Sequence, residues 1–295
     1  MARSRASVTA APGDFQAREF GYTQKDFERV RRLIRARVGI ALNDSKQNMV
    51  YNRLVKRLRA LRLESVADYL ALLEDPQQGS QQAEWQHFIN ALTTDLSHFF
   101  REEYHFPILV EHVKALGRAP VRIWSAAAST GEEPYSIAIA MCEAYGSLQP
   151  PVSILATDID TAVLEGAEKG VYALERVEQV SPERLKRYFL RGAGANAGFA
   201  RVRPEIARLV RFRKFNLSDA RWDFGEMRQG PFDAVFCRNV MIYFDKPTQH
   251  EVLQRIARVI APDGLLFAGH SESFLHAAEL FKPIGKTVYR PAAHN

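Results

Sequence analysis

Cysteine is scarce in this chain of 295 residues, which holds Cys142 and Cys237 and no others. Two cysteines cannot build a disulfide framework or a Cys-rich zinc site, so we expect neither, and we expect a reducing, cytoplasmic location. Long hydrophobic runs are also missing: runs such as 264–268 and 234–237 are far shorter than the roughly 18–20 residues of a membrane span. The first twenty residues lack the apolar core of a signal peptide and are typical of a flexible tail.

The composition that remains is that of an ordinary globular protein. Apolar residues make up 46% and charged residues 25%, which excludes disorder throughout, collagen-like repeats and a coiled coil. The 40 Lys and Arg outnumber the 34 Asp and Glu, giving a net charge of +6. The length favours two domains over one.

The first part of the chain, residues 21–92, reads as a small all-helical domain. Thr23 with Asp26 three residues on is typical of a helix start, and Gly39 is typical of a helix end. Asp44 or Ser45 can begin a second helix, and Ser65 a third. The spacing of apolar residues predicts helices over about 23–38, 45–63, 65–75 and 81–92.

After residues 93–120, which we expect to be a linker that contributes to a ligand site, strands alternate with helices. The predicted strands cover 121–124, 152–156, 232–237 and 265–269, and the predicted helices cover 135–145, 161–170 and 249–260. Such alternation predicts an α/β domain over 121–295 with a parallel sheet. The last segment, 281–290, is predicted as a strand or a hairpin edge with its turn at Gly285.

Residues 171–216 do not follow that alternation. A short helix is predicted at 182–188, then a Gly-rich turn, then β-like runs at 199–203 and 209–215. We interpret the segment as a small antiparallel insertion, over about 175–210, whose second run continues into a strand of the main sheet.

The turn after the first predicted strand, W-S-A-A-A-S-T-G-E-E-P-Y-S over 124–136, carries the first ligand signal. An open parallel sheet binds its ligand at the carboxyl ends of its strands, and residues 125–129 are small enough for close approach. The turn has one glycine, Gly131, so it is not a dinucleotide fingerprint. Glu132 and Glu133 would repel a pyrophosphate, which favours a cationic ligand without phosphates such as S-adenosylmethionine. An acidic helix start without any ligand is the alternative.

Polar residues follow two further predicted strands. Asp158 stands where an acid binds ribose hydroxyls in nucleotide-binding α/β folds, whereas Asp160 is better placed to cap the next helix. Arg238 and Asn239 follow the strand at 232–237 and are costly to bury unless they bind something. Tyr243 lies just beyond and is a candidate to face the reacting centre. The alternative is hydrogen bonding between loops, with the aromatic ring packed in the core.

Three motifs together resemble the chemotaxis receptor methyltransferases, the CheR type. They are N-A-L-T-T-D-L-S-H-F-F-R-E at 90–102, the turn at 124–136, and F-C-R-N-V-M-I-Y-F-D-K at 236–246, and the resemblance covers residues 20–290. It implies a class I S-adenosylmethionine-dependent, Rossmann-like methyltransferase domain with a small antiparallel β-subdomain, preceded by a helical domain. The implied reaction methylates receptor glutamates, giving glutamyl methyl esters and S-adenosylhomocysteine, for sensory adaptation in chemotaxis.

The resemblance also implies site residues, with no metal among the cofactors. Arg101 and Tyr243 would flank the methyl group and hold the incoming carboxylate; alone, Arg101 reads as an ordinary surface arginine. Asp95 and Ser97 depart from the family pattern, in which we expect Asn and Thr. The implied cofactor contacts are Asp95, Ser97, Arg101, Glu133 (or its neighbour Glu132), Asp158, Asn216, Leu217, Arg238 and Asn239.

The second predicted helix carries six cations and no acid: Lys46, Arg53, Lys56, Arg57, Arg59 and Arg62. A solvated face is one interpretation and nucleic acid is the usual functional one, but the resemblance points to the glutamate-rich methylation helices of receptors. It also implies a receptor tail as a further contact at the β-subdomain. We expect a monomer that neither binds nucleic acid nor inserts into a membrane.

Three rival functions fit the sequence less well. A nucleic-acid methyltransferase would need an Asp/Asn-Pro-Pro-aromatic turn or a nucleophilic cysteine, but the turn here is Arg-Asn-Val-Met at 238–241, and Cys142 and Cys237 both read as core residues. A regulatory module without turnover would not need Arg101 and Tyr243. An NAD-dependent dehydrogenase is disfavoured by the missing glycines.

Overall fold

In the computed structural model, which describes residues 18–75, 81–225 and 230–292, the chain begins with a group of four helices. Residues 1–17 of the expected tail lie outside the described residues. The helices are α1 (Gln24–Val38), α2 (Gln47–Leu61), α3 (Val66–Glu74) and α4 (Gln81–Leu92). They share an apolar core of their own, with Phe27, Leu54 and Leu70 fully buried. We call these four helices and their connections the helical unit.

The helix starts and ends follow the local chemistry of the sequence. Thr23 and Asp26 form a reciprocal capping box at the start of α1, and Gly39 ends that helix in the left-handed region. The Ser65 hydroxyl accepts a hydrogen bond from the backbone N–H of Asp68 at the start of α3. The second helix begins later than predicted because residues 44–46 form a separate turn of 3₁₀ helix.

Residues 93–120, expected as a linker, contain a helix that the sequence analysis did not predict, α5 (His105–Leu116). Its buried face, Phe106, Leu109 and Val113, packs in the core of the α/β part. The spacing of these three residues and the glycine at 117 were a usable helix signal.

The α/β part is built on a seven-stranded sheet. Its strands are β1 (Val121–Ser125), β2 (Val152–Asp158), β6 (Val210–Lys214), β7 (Phe232–Phe236), β8 (Ile260–Phe267), β9 (Phe281–Gly285) and β10 (Val288–Pro291). They lie in the order β6-β2-β1-β7-β8-β10-β9; neighbouring strands from β6 to β8 run parallel, and the final hairpin is antiparallel. The crossover helices are α6 (Glu132–Tyr145), α7 (Thr161–Lys169) and α10 (Lys246–Ala257), with α9 (Pro204–Ala207) a single turn.

The chain reverses its direction across the sheet between β1 and β7. From β1 it proceeds outward through β2 to β6, and then returns to β7 on the other side of β1. Such a reversal opens a crevice at the carboxyl ends of the two central strands. The α/β architecture predicted from the sequence, with its preceding helical unit, is confirmed.

The insertion is also antiparallel, but its strands differ from the predicted ones. A three-stranded sheet has the order β3-β5-β4, with β3 at Val171–Ala173, β4 at Phe189–Arg191 and β5 at Phe199–Val202. Helix α8 (Pro182–Tyr188) connects β3 to β4. The sheet thus begins at 171 rather than about 175, and the run at 209–215 is β6 of the main sheet. Strands of three residues are too short to show alternation, which is why β3 and β4 were missed. We call residues 171–203 the β-subdomain.

Two expectations for the C-terminal part need adjusting. The segment A-P-D-G at 261–264, which separates the predicted helix at 249–260 from the predicted strand at 265–269, lies inside β8, where the pairing with β7 shifts register around it. The last segment is a hairpin as predicted, but its turn residues are Lys286 and Thr287, both with left-handed φ, next to Gly285. Among the described residues, no helix is long and apolar enough to cross a membrane.

Candidate functional site

A cleft of about 1020 Å³, counted with the solvent at its mouth, opens at the carboxyl ends of β1, β2 and β7. The helical unit forms one wall of this cleft through Val38, Ile40 and Leu92. The remaining lining comes from the segment after α4, the β1–α6 turn and the loops after β2, β6 and β7. It includes Ser97, Arg101, Glu133, Asp158, Asn216, Leu217, Arg238, Asn239 and Tyr243.

The β1–α6 turn separates its two glutamates. Glu133 lines the cleft, where its carboxylate accepts hydrogen bonds from Ser125 Oγ at 2.7 Å and from Arg238 Nη1 at 3.1 Å. Burial raises the pKa of Glu133, and the nearby Arg238 opposes that rise. Glu132 is fully buried, forms an ion pair with Arg176 and accepts a hydrogen bond from the Thr130 hydroxyl, so it stabilises the conformation of the turn. Of the two, Glu133 is the one available to a ligand.

Asp160 caps the helix that follows β2, as the sequence predicted, and Asp158 lines the cleft. The Asp160 carboxylate accepts from the backbone N–H groups of Ala162 and Val163 and so caps α7. Asp158 lines the cleft at the end of β2, with its oxygens fixed by the backbone N–H groups of Ser129 at 2.8 Å and Asp160 at 3.0 Å. Burial raises the pKa of Asp158, and these N–H groups oppose the rise.

Arg238 is buried and its guanidinium is bound to protein groups on several sides. Nη1 lies 3.1 Å from the Glu133 carboxylate, and Nη2 lies 3.2 Å from the Glu102 carboxylate. Nη2 also donates to the carbonyl of Arg101. The hydrogen bonding between loops that the sequence left open is therefore present. Arg238 Nε, however, is buried without a hydrogen-bond partner among the described residues.

The loop after Arg238 is held by a buried carboxylate that the sequence analysis missed, Glu272. Its oxygens accept from the backbone N–H groups of Asn239 at 2.8 Å, Met241 at 2.8 Å and Gly269 at 2.6 Å. Asn239 has a left-handed φ of 56°, and its side-chain amide would lie 2.3 Å from a Cβ at position 269. Only glycine fits there, so the two loops approach each other at van der Waals distance.

Arg101 and Tyr243 both line the cleft, on segments that are otherwise distant in the chain. Arg101 Nη1 donates to the carbonyl of Leu96 at 3.0 Å, and within the described ranges Arg101 makes no ion pair. The carbonyl of Tyr243 accepts from the backbone N–H of Ala41 at 2.8 Å, which ties its loop to the helical unit. A partially exposed guanidinium without a carboxylate is suited to binding an anion.

The remaining predicted residues differ in their surroundings. Ser97 and Leu217 line the cleft, and so does Asn216, whose Nδ2 donates to the carbonyl of Arg37 at 3.1 Å. Asp95 is exposed and is not among the described residues that line the cleft. The structure therefore gives no support to the contact implied for Asp95.

A second missed carboxylate, Glu102, joins three segments around the cleft. It accepts from the backbone N–H of His270 at 3.0 Å and from the His270 ring at 2.8 Å, and it pairs with Arg238. Burial alone would raise the pKa of Glu102, but His270 and Arg238 lower it to about 2. The sequence signal was weak, because Glu102 and Glu272 lie in short polar stretches that read as ordinary loops.

The basic helix is less free than its sequence suggests. Arg57 pairs with the buried Glu84, and Arg59 pairs with Glu19. Arg53 donates to the carbonyl of Thr93. Elsewhere in the six-residue set, Lys46, Lys56 and Arg62 are exposed and form no ion pair with any described residue. Of the six cations expected to be available to a partner, Arg57 and Arg59 are therefore already paired with glutamates of the same chain.

The cleft suits S-adenosylmethionine in its chemistry. Ser129 Oγ lines the cleft and is buried without a hydrogen-bond partner among the described residues, as is Arg238 Nε. The carboxylates of Glu133 and Asp158 supply two anionic groups for an ammonium and for ribose hydroxyls, and Ala126 and Ala127 leave room for backbone approach. Within the described ranges, no three His, Cys, Asp or Glu residues form a group that could hold a metal ion.

Comparison with known proteins gives a consistent result over most of the chain. Residues 95–290 match the family described as CheR methyltransferase, SAM binding domain, and residues 25–93 match CheR methyltransferase, all-alpha domain. The chain is 54% identical over 280 residues to chemotaxis protein methyltransferase 2 of Pseudomonas aeruginosa, covering 94% of this chain and 97% of that protein. It is 52% identical over 263 residues to the chemotaxis protein methyltransferase of Salmonella typhimurium (89% and 88% covered) and 50% to that of Escherichia coli (89% and 89%).

Proposed function

The chain belongs to the CheR family of S-adenosylmethionine-dependent methyltransferases, and from this premise we propose that it methylates glutamate side chains of membrane chemoreceptors. The products are glutamyl methyl esters and S-adenosylhomocysteine, and the output is sensory adaptation from a cytoplasmic location. The observation that carries the proposal is Arg101, a guanidinium on the cleft wall whose described partner is a carbonyl and which forms no ion pair there. A carboxylate substrate provides the missing anion.

We propose that the cofactor is held by the cleft residues that the sequence singled out. Glu133 would meet the ammonium and Asp158 the ribose hydroxyls, since both carboxylates are fixed by hydrogen bonds and face the cleft. Asn239, in the loop after β7, and Leu217, in the loop after β6, line the cleft as well. The rest of the proposed set is Ser97, Arg101, Asn216 and Arg238. When bound, the cofactor supplies a methyl group already activated by a sulfonium.

The protein needs little further chemistry for this reaction. A glutamate side chain with an ordinary pKa near 4.3 is ionised at neutral pH and needs no general base. Transfer forms a carbon–oxygen bond with an electron pair of the carboxylate, while the carbon–sulfur pair stays on sulfur. Arg101 orients the incoming carboxylate beside Tyr243, and holding the reactants in line can lower a barrier by roughly 7–11 kcal/mol. Catalysis thus rests on positioning and desolvation, without acid or base.

The receptor contacts that we propose follow the remaining free charge. The exposed cations Lys56 on α2, and Lys46 and Arg62 at its two ends, would meet glutamate-rich methylation helices, which fits charge complementarity acting on encounter and register. The edge strand β4 of the β-subdomain offers unpaired backbone groups to an extended receptor tail.

The test is to incubate the protein with radiolabelled S-adenosylmethionine and receptor-rich membranes. Label on a receptor band that is released by mild base supports glutamyl methyl esters, and Arg101→Ala should remove most of it. Base-stable label, or label on nucleic acid in the same membranes, would overturn the assignment.

A further inference from the structure

The β-subdomain touches the segment that carries Arg101, and this contact lies outside the receptor contacts proposed above. Phe99 is 1% exposed and sits between two rings of the β-subdomain. Its ring centroid lies 5.0 Å from that of Tyr172 on β3 and 5.4 Å from that of Phe189 on β4, both nearly perpendicular. Edge-to-face packing of this kind fixes ring positions in a core.

The neighbouring ring is held by the same subdomain. The guanidinium carbon of Arg184, on α8, lies 4.0 Å above the centroid of the Phe100 ring. Arg184 is fixed in turn by Glu143 on α6, with both hydrogen bonds at 3.0 Å, and lies 3.6 Å from Glu103. A half-buried arginine with two carboxylates and an aromatic face has little rotational freedom.

The backbone between these contacts is strained. Phe100 and Glu102 both have φ of 54°, in the left-handed region that costs a residue with a side chain about 1–2 kcal/mol. Such conformations persist where the surroundings over-determine them. Here Phe99 and Phe100 are clamped before Arg101, and the Arg101 carbonyl accepts from the buried Arg238 after them.

We propose that the β-subdomain is a positioning element for methyl transfer, in which Arg184 and Phe99 fix the orientation of Arg101. The inference rests on the catalytic part that we propose for Arg101. Arg184 is a positioning residue, because it touches Phe100 and two carboxylates and is not among the residues that line the cleft. The β-subdomain would thus support turnover itself, in addition to any docking on its edge.

The experiment compares Arg184→Met with a matched control on the same helix, Arg187→Met. Arg187 is exposed and its guanidinium lies over the ring of Tyr188 at 5.5 Å, so the control removes an equal charge and a similar stacking contact away from Phe100. We expect Arg184→Met to lower kcat at saturating methyl donor roughly tenfold, as small misplacements of reacting groups do. We expect donor affinity by calorimetry to fall much less than kcat, because Arg101 is one of several proposed donor contacts, and to stay unchanged in Arg187→Met.

A second readout needs no methyl-accepting substrate. Amide hydrogen exchange over 98–102 should speed up in Arg184→Met and stay unchanged in Arg187→Met, and Arg184→Lys should fall between them. If both Met variants show the same exchange, or lose donor affinity in step with kcat, the positioning role is refuted. If the wild-type protein labels no receptor while the exchange difference is present, the proposed substrate fails and the structural coupling stands.

Discussion

At the scale of single residues, the groups that we propose to meet the substrate differ from the groups that hold them in place. Arg101 forms no ion pair with any described residue, whereas the two Nη atoms of Arg238 are bound by Glu102, Glu133 and the Arg101 carbonyl. Glu272 and Glu102 then fix the loops that bear Asn239 and Arg238. Glu102 and Glu272 are not among the described residues that line the cleft.

This separation predicts unequal losses on mutation. Arg101→Ala should lower the methylation rate by a factor of roughly 10²–10³, because it removes the charge-assisted contact to the carboxylate. Tyr243→Phe should keep a substantial fraction of activity, since no acid or base is required. Initial rates at saturating receptor measure both variants, and a Tyr243→Phe loss as large as that of Arg101→Ala would contradict catalysis by positioning.

Asp95→Asn, at an exposed position off the cleft, should change the KM for the donor less than about twofold. Initial rates at saturating receptor measure this variant as well.

Glu102 predicts a dependence of stability on pH. Its pKa of about 2 in the folded protein lies below the ordinary 4.5, so the unfolded chain binds the proton more tightly. The stabilisation is therefore complete above about pH 4.5 and is lost as the pH falls toward about 2. Glu102→Gln should lower the free energy of unfolding near neutral pH by up to about 3 kcal/mol and flatten its acid dependence.

Urea unfolding at a series of pH values measures this effect. The exposed Glu111 of α5 supplies a control, because Glu111→Gln changes the same charge in the absence of a described partner. Parallel acid profiles for wild type and Glu102→Gln would show that the carboxylate is not stabilised as described.

At the scale of elements, α2 shows why a charge pattern is not yet a binding surface. Arg57 forms an ion pair with Glu84, and Arg59 forms one with Glu19. Tyr69 also donates a hydrogen bond to Glu84 at 2.8 Å. Reversing Arg57 would place two carboxylates side by side at a buried position and destabilise the helical unit. The exposed Lys56 and Arg62 remain the informative positions.

Reversal of both to glutamate, Lys56→Glu with Arg62→Glu, should raise the apparent KM for receptor several-fold while the donor affinity stays constant. The effect should shrink as salt is raised, since exposed charges are screened over about 10 Å at 0.1 M. Lys114→Glu with Lys282→Glu changes the net charge equally at exposed positions on α5 and β9 and serves as the control. Equal receptor kinetics for the two double variants would remove α2 from the interface.

At the scale of the whole molecule, the helical unit closes the cofactor cleft. Besides the Ala41–Tyr243 hydrogen bond, Asn90 Nδ2 of α4 donates to Thr161 Oγ1 at 3.1 Å and Arg35 pairs with Asp245. Both parts of the chain therefore line the same cleft.

We accordingly predict that S-adenosylhomocysteine raises the unfolding temperature of the helical unit and the α/β part together. At a concentration a hundredfold above Kd the stabilisation is about 2.7 kcal/mol. Differential scanning calorimetry should show one transition that moves as a whole. Two transitions, of which only one moves with ligand, would show that the helical unit contributes nothing to binding.

The sequence by itself determined the local features of this protein. The Thr23–Asp26 capping box, the Asp160 cap, the α/β alternation and the three family motifs depend on neighbouring residues and on fixed spacing, which a chain carries without folding. The tertiary structure alone decided which charges are free. Arg57 and Glu84 are 27 positions apart, and Glu102 and His270 are 168 apart. Pairings over such separations depend on how helices and strands pack, so a local sequence pattern cannot predict them.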